Sequence, residues 1–198
     1  KLSAFVKDNN LYVKDVKTGI EKAISTDGTT DEYYSAYLFW SPDSKKIAVM
    51  RIRTAVIPKL YLIESSPTDQ LKPKLQTRDY VRPGDELPFR TPVIFDVETG
   101  SQQVGSTQLC DSQMDLRGFE WFSDSKSVMF EYNKRGHKVY RVLEMSVATG
   151  EVKTLIEETT NTFVNYNRYF KKLINNEKEI IWMSERDNHN HLYIFDRA

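Results

Sequence analysis

The histidines are the first residues whose type and spacing could do chemistry. His189 and His191 flank one asparagine, and alternate residues of a strand point to the same face, so both imidazoles could bind one metal ion. No third ligand is evident, so we expect a surface turn here and predict no metal site. His137 follows the turn at 133–136, and a lone histidine in a hairpin is expected to be structural or solvated rather than catalytic.

The sequence offers no activated nucleophile. None of the eight glycines is followed two positions later by a serine, so the G-x-S-x-G elbow of α/β-hydrolases is absent. The single cysteine, Cys110, has no Cys or His neighbour at metal-ligand spacing and is expected to be a buried small hydrophobic residue. We therefore predict that this chain contains no catalytic residue and binds no cofactor.

Three consecutive charged residues, Glu185, Arg186 and Asp187, lie between two predicted strands. Charges at the end of a hairpin can reach a neighbouring sheet, where an opposite charge would stabilise them. We expect Arg186 to form a structural ion pair with a carboxylate of that neighbouring sheet. A substrate contact is the alternative.

The charge balance and the short apolar stretches both bear on the kind of partner. The 198 residues include 28 basic and 28 acidic side chains, so the formal net charge is zero. Nucleic acids and anionic membrane surfaces are bound largely through a surplus of Lys and Arg, which is missing here. The longest apolar stretches, such as 61–63 and 180–183, are also far shorter than the roughly 18–20 residues that cross a bilayer. We predict neither a nucleic acid nor a membrane as a partner.

The candidate side chains described above must be positioned by short β-strands, which follow a repeated pattern along the sequence. Aromatic and β-branched residues occur in short runs separated by Gly, Asn, Asp and Pro, which is typical of an all-β protein. Trp40 begins the segment Trp-Ser-Pro-Asp-Ser-Lys-Lys-Ile-Ala-Val, and Trp121 begins a similar one, Trp-Phe-Ser-Asp-Ser-Lys-Ser-Val-Met-Phe. Each copy predicts a turn followed by a strand. We expect both tryptophans to occupy equivalent, buried positions between neighbouring sheets.

A second repeated segment is a strand that runs into a turn containing glycine. It occurs at 11–19, 94–100 and 145–150, and glycine in such a turn adopts a positive φ without steric cost. The two segments in alternation give four antiparallel strands, which is the composition of one β-propeller blade. The sequence therefore predicts an all-β fold, a β-propeller fragment of about four blades, each a four-stranded antiparallel sheet.

The spacing of the repeats predicts a single incomplete propeller domain over 1–198, part of a longer protein, because both ends of the chain fall inside a repeat. The second blade exceeds the usual ~40–45 residues. The extra residues of this blade, about 53–91, contain five prolines and are expected to form an excursion over the surface. The blade pieces, of which the first and last are incomplete, are expected at about 1–28, 37–105, 117–157 and 163–198.

Five segments carry a resemblance to a known family: Leu-Tyr-Val-Lys at 11–14, Trp-Ser-Pro-Asp-Ser-Lys at 40–45, Tyr-Val-Arg-Pro-Gly at 80–84, Phe-Glu-Tyr-Asn-Lys-Arg-Gly-His at 130–137 and Trp-Met-Ser-Glu-Arg-Asp at 182–187. In this order they resemble the N-terminal β-propeller of bacterial dipeptidyl peptidase IV-like serine peptidases, in the prolyl oligopeptidase family. The resemblance implies a parent enzyme that releases dipeptides from peptide substrates with a separate α/β-hydrolase domain. It also implies a periplasmic or extracellular location and a homodimeric parent.

In that family, a pair of glutamates just before a Trp-Ser-Pro element binds the free α-amino group of the substrate. The matching segment here is 28–37, in which Asp31 and Glu32 are the candidate substrate-binding residues. Two carboxylates suit an ammonium group in a partly desolvated pocket. The segment departs from the family pattern, because the Trp-Val-Tyr lead-in and the adjacent glutamates are missing. This departure favours the alternative, a solvated acidic loop.

Two functions follow from these observations. The first is a non-catalytic propeller domain that gates and positions peptide substrates for the α/β-hydrolase domain of the same parent chain. The alternative is a stand-alone propeller that acts as a protein-binding scaffold. A hydrolase domain with a G-x-S-x-G elbow elsewhere in the parent protein would distinguish the two.

Overall fold

The structure, a computed structural model, describes residues 1–166 and 169–197. Every strand pair within these residues is antiparallel. The strands form four sheets, numbered here in chain order, and one separate two-stranded hairpin. This confirms the predicted all-β fold. None of the described residues belongs to a helix that could span a lipid bilayer.

Sheet 1 contains three strands that lie side by side in chain order. A tight turn at Asp8 and Asn9, with φ values of 48° and 67°, joins the first two strands. Gly19 adopts a φ of 74° in the predicted glycine turn that follows the second strand. The strands are β1 (Leu2–Lys7), β2 (Asn10–Asp15) and β3 (Glu21–Ala23).

Sheet 2 has a first strand that is split into two short pieces. Both pieces pair with the same long strand, one with each half of it. The residues between the pieces leave the ladder, although the Ser35 amide still donates a 2.9 Å hydrogen bond to the Met50 carbonyl. The two pieces are β4 (Glu32–Tyr34) and β5 (Phe39–Trp40), and the long strand is β6 (Lys46–Arg53).

Most of the predicted surface excursion, about 53–91, lies between two strands of sheet 2, although Arg53 and residues 89–91 at its ends pair within that sheet. It contains a hairpin that the sequence did not predict. The hairpin is a sheet of its own, and most of its residues are exposed. Its strands are β7 (Lys59–Glu64) and β8 (Lys74–Asp79). The chain then returns to sheet 2 through β9 (Phe89–Asp96) and β10 (Gln102–Val104).

Sheet 3 has the predicted four strands in chain order, and sheet 4 has three. The first strand of sheet 3 contains a bulge at Gly118, which adopts a φ of 74°. The strands of sheet 3 are β11 (Gln113–Trp121), β12 (Ser127–Lys134), β13 (Val139–Ser146) and β14 (Val152–Thr159). Those of sheet 4 are β15 (Lys171–Ile174), β16 (Glu179–Ser184) and β17 (His191–Asp196).

Sheets 2 and 3 begin earlier than the expected blade starts near 37 and 117. Strand β4 begins at Glu32 and β11 begins at Gln113. In both cases an irregularity separates the early part of the first strand from the repeated tryptophan segment, namely the break at 35–38 and the bulge at Gly118. The sequence repeat covers only the regular part of each first strand, so the first residues of these strands fell outside the predicted blades.

Three hydrophobic clusters hold the four sheets together, one between each pair of consecutive sheets. Strand alternation explains this arrangement, because successive residues of a central strand face opposite neighbours. In β6, for example, Ile47 and Val49 pack towards sheet 1, whereas Ala48 and Met50 pack towards sheet 3. The sheets therefore stack face to face in chain order, as propeller blades do.

The two repeated tryptophans occupy equivalent positions, as predicted. Trp40 pairs with Ile47 and Trp121 with Val128, so each lies seven residues before its partner across the same turn. Each ring packs against the cluster shared with the preceding sheet. The expectation that both are buried is wrong, because both are only half-buried. They lie in edge strands, whose outer side is not covered by any other strand of residues 1–166 and 169–197.

Candidate functional site

The first strands of sheets 2, 3 and 4 lie at corresponding edges of their sheets. Side chains connect these edges. Trp121 Nε1 donates a 2.9 Å hydrogen bond to the Phe39 carbonyl, which joins sheet 3 to sheet 2. Lys171 Nζ of sheet 4 lies 3.4 Å from the Glu120 carboxylate of sheet 3. Together these edges form a continuous surface, here called the first-strand wall.

The acidic residues predicted to bind substrate lie on this wall, where the chain enters β4. The Asp31 carbonyl accepts hydrogen bonds from the Thr54 amide and hydroxyl, at 2.8 and 3.1 Å, while the Asp31 side chain is exposed. The Glu32 amide donates a 3.1 Å hydrogen bond to Thr29 Oγ1. The Glu32 carboxylate accepts a 3.2 Å hydrogen bond from Arg51 Nη2, so it is held in an ion pair.

Arg51 brings a further carboxylate to this site. Its Nη1 lies 3.1 Å from Asp27 Oδ2, so the guanidinium bridges Asp27 and Glu32. Asp27 also accepts a 2.9 Å hydrogen bond from the Tyr34 hydroxyl. Burial, together with this hydrogen bond, raises the pKa of Tyr34, so the hydroxyl stays protonated and keeps donating. Asp27, Asp31, Glu32 and Arg51 are here called the acidic cluster.

The acidic cluster carries a surplus of negative charge, because it contains three carboxylates and a single guanidinium, which pairs with Asp27 and Glu32. Arg53 lies opposite Glu32 in the ladder, but its guanidinium packs over the Phe89 ring at 5.3 Å. The Asp27 and Glu32 side chains remain 38% and 42% exposed. A cationic group from solvent can therefore reach carboxylate oxygens whose positions Arg51 restrains, and the arrangement suits an ammonium group.

Sequence reasoning missed Asp27 and Arg51. Arg51 is separated from Glu32 by 19 positions, and only the pairing of β4 with β6 brings them together. A signal was present in β6, where arginine interrupts an apolar strand twice, at 51 and 53. No local pattern pointed to Asp27. The substrate-binding role of Asp31 and Glu32 stays a prediction.

His137 packs into an aromatic group. Its ring stacks on Tyr166, with ring centroids 5.2 Å apart and an interplanar angle of 17°. Its Nδ1 lies 3.2 Å from Asn133 Oδ1. The first contact joins the loop after β14 to sheet 3, and the second lies within the hairpin of β12 and β13, so His137 has the structural role that was expected.

The remaining titratable candidates are distributed over the surface and the core. His189 and His191 lie on the exposed end of the hairpin of sheet 4, with ring centroids 6.1 Å apart. Cys110 is fully buried, and burial raises the pKa of its thiol to about 11. Among the residues that the structure describes, no group of three His, Cys, Asp or Glu is arranged to hold a metal ion.

Arg186 forms the predicted ion pair with a neighbouring sheet. Its guanidinium donates a hydrogen bond to Glu158 of β14, in sheet 3. Glu158 is only 5% exposed and also accepts 2.8 Å hydrogen bonds from Trp182 Nε1 and Ser184 Oγ. These four side chains, of which all but Arg186 are buried, tie sheet 4 to sheet 3, and the structural interpretation is confirmed.

Four antiparallel sheets, stacked face to face in chain order with the first strands of sheets 2, 3 and 4 along one wall, define part of a β-propeller. Residues 2–198 match the family model described as "Dipeptidyl peptidase IV (DPP IV) N-terminal region". The chain belongs to this family, and the resemblance found in its motifs is confirmed.

Proteins similar to this chain are dipeptidyl peptidases that extend well beyond it. A probable dipeptidyl-aminopeptidase B of Coccidioides posadasii is 24% identical over 165 residues, which cover 70% of this chain and 18% of that protein. A solved structure of Porphyromonas gingivalis dipeptidyl peptidase 4 matches with a TM-score of 0.73 at 17% identity, over 99% of this chain and 29% of that one. A dipeptidyl aminopeptidase IV structure from Bacteroides ovatus matches with a TM-score of 0.70 at 21% identity, over 98% and 27%. The chain thus spans less than a third of each.

Proposed function

We propose that this chain is the non-catalytic propeller region of a serine-type dipeptidyl peptidase. In this role it positions peptide substrates for a separate α/β-hydrolase domain of the same parent chain. The observation that carries the proposal is the family match over residues 2–198, in a sequence that has no G-x-S-x-G elbow of its own. Stacked sheets provide the rigid support that precise substrate positioning requires.

In this proposal the first-strand wall lines the channel of the propeller and admits extended peptides. The acidic cluster on that wall holds the free amino group of the peptide. Carboxylates form strong charge-assisted hydrogen bonds with ammonium groups, and the bridge through Arg51 limits the motion of Glu32. With its amino end held, a peptide presents the bond after its second residue at a constant distance from the catalytic serine.

The first test measures peptidase activity and locates the reactive serine in the parent protein. The intact parent protein is expected to hydrolyse a chromogenic Xaa-Pro substrate and to react with a serine-directed fluorophosphonate probe. Mass spectrometry should find the label outside residues 1–198, because this segment has no elbow to activate a serine. Stoichiometric labelling of a serine within 1–198 would overturn the proposal. A parent protein with neither hydrolysis nor labelling would instead favour the protein-binding scaffold.

We also propose that the parent protein is a homodimer that pairs through β7 of the hairpin. Tyr61 and Ile63 are 64% and 71% exposed, and β7 pairs only with β8 among the described strands. An open apolar edge of this kind favours pairing with another chain. Two copies of β7 complement each other when antiparallel, because Lys59 then faces Glu64 at both ends, with apolar residues between.

Replacing Ile63 with lysine is expected to convert the dimer to a monomer at micromolar concentration, measured by sedimentation velocity. The change places a charge in the apolar part of the paired strands, opposite Leu60 of the other copy, where it has no partner. Leu71→Lys is the matched control, because Leu71 is likewise an exposed apolar residue of the excursion but lies between β7 and β8. Dimers that survive Ile63→Lys, or that Leu71→Lys disrupts equally, would contradict the proposed interface.

A further inference from the structure

A cavity of about 330 Å³ opens between sheets 2 and 3, at the first-strand wall. On the side of sheet 2, it is lined by Ser35 and Tyr37, which lie in the break between β4 and β5. On the side of sheet 3, the bulge at Gly118 interrupts the pairing of β11. No described residue except the chain neighbours of Gly118 comes within 4 Å of the position that a Cβ would occupy there. The two irregularities therefore leave the space between the sheets open towards the wall.

The inner side of the cavity is apolar. Met50, Leu116 and Phe119 line it and are buried in the hydrophobic cluster between sheets 2 and 3. Phe39 and Ile52 also line it and pack against the same cluster, but they are only half-buried. The Phe39 and Phe119 rings meet edge to face, with centroids 5.7 Å apart, which favours this arrangement of the two rings. An apolar side chain that enters the cavity would cover the exposed part of the cluster and would itself be removed from water.

The charged groups at the cavity are balanced. Arg90 and Asp115 line it and pair with each other, with Nη1 of the arginine 3.4 Å from Oδ1 of the aspartate. Arg117 also contributes to the lining, but its guanidinium packs over the Tyr166 ring at 6.0 Å, on the face of sheet 3 towards sheet 4. A charged side chain that entered the cavity would lose its hydration without gaining an unpaired opposite charge. The cavity therefore suits an uncharged side chain.

The cavity also lies within reach of the acidic cluster. Ser35 follows Glu32 by three residues, and three residues of extended chain span at most about 11 Å. A peptide whose amino group is held at Glu32, and which runs in extended form along the edge of sheet 2, covers the same distance in three residues. The side chain of its third or fourth residue then arrives at the cavity.

We propose that this cavity is a subsite for an apolar side chain of the bound peptide, at the third or fourth residue of that peptide. This inference rests on the proposed peptide-positioning function and deepens it, because it names the side chains that the propeller region selects beyond the first two residues. Ligand sites usually measure about 300–1,000 Å³. The cavity lies at the lower end of this range, so it suits a single side chain such as that of leucine rather than a folded partner.

Peptides that differ at one position test the subsite. Ala-Pro-Leu-Ala-amide and Ala-Pro-Ala-Leu-amide carry leucine at the third or the fourth residue, and matched peptides carry asparagine or glutamate at the same place. A reduced bond after the second residue protects each peptide from cleavage. In calorimetric titrations of the intact parent protein, leucine at one of the two positions is expected to bind about tenfold more tightly than asparagine, which has a similar shape. Glutamate should bind no more tightly than asparagine.

Variants of the lining test whether this cavity causes the preference. Ile52→Thr keeps the branched side chain but makes the lining more polar, and it is expected to reduce the leucine advantage about threefold. Ile57→Thr makes the same change on the excursion, outside the cavity, and should leave the advantage unchanged. Ile52→Phe fills part of the cavity and is expected to reduce the advantage to less than about twofold. Both variants at position 52 should keep the affinity for the asparagine peptides within about twofold, and circular dichroism confirms that the fold is kept.

The outcomes distinguish the subsite from the function on which it rests. Equal affinities for the leucine, asparagine and glutamate peptides would overturn the subsite while leaving peptide binding intact. A leucine advantage that survives both Ile52→Thr and Ile52→Phe would place its cause outside the cavity and would also overturn the subsite. If no peptide binds, the peptide-positioning function fails, and the subsite fails with it.

Discussion

Replacing Glu158 with alanine is expected to lower the free energy of unfolding by about 3 kcal/mol. Glu158 accepts hydrogen bonds from Arg186, Trp182 and Ser184 in the buried contact between sheets 3 and 4. Removal of the carboxylate leaves two buried donors and one cation without their acceptor, and each unpaired donor costs about 1–3 kcal/mol. Arg186 is 36% exposed, so water can solvate part of its charge once the carboxylate is removed. The loss of unfolding free energy is therefore expected near the lower end of the range for removing one partner of a buried ion pair.

The neighbouring residue provides a matched control. Glu157 pairs with Arg141 at 2.5 Å, but its side chain is 42% exposed, and exposed pairs contribute only about 0–1 kcal/mol. Urea unfolding of the parent protein, followed by tryptophan fluorescence, compares Glu158→Ala with Glu157→Ala. Trp182 is a local reporter, since its Nε1 donates to Glu158. Equal losses in the two variants would show that the buried group does not hold the sheets together.

The double variant Asp31→Asn/Glu32→Gln is expected to reduce kcat/KM of the parent enzyme roughly 10- to 150-fold for substrates with a free N-terminus. The amides keep the size of the side chains but remove the charge that would bind the substrate ammonium. Asp27 remains paired with Arg51 through its own contact, so the loop is expected to keep its conformation. Steady-state kinetics with a free and an N-terminally blocked peptide of the same sequence provides the measurement.

The blocked peptide is the substrate control, because it has no ammonium group and should lose less than about twofold. Asp8→Asn/Glu98→Gln is the control variant, since it removes two exposed carboxylates from turns outside the acidic cluster. It should leave both substrates unchanged. If the Asp31/Glu32 variant also keeps both rates within about twofold, the segment is the solvated acidic loop considered from the sequence.

The strands and turns could be predicted because their signals are local. The Asp-Ser-Lys turns place Ser44 and Ser125 at φ values of 59° and 58°, and the equivalent pairing of Trp40 and Trp121 follows from this shared geometry. The extra hairpin was not predicted. Five prolines in the excursion obscured two short strands, and these strands depend on pairing with each other across the intervening residues.

The sequence by itself determined the all-β repeat, the family and the absence of a nucleophile elbow, because each depends on residues close together in the chain. Only the tertiary structure decided which distant side chains meet. Asp27 and Glu32 share Arg51 because β4 pairs with the far half of β6, and Glu158 reaches Arg186 because sheets 3 and 4 stack. Such contacts depend on strand register and sheet stacking, which join residues that no local pattern connects.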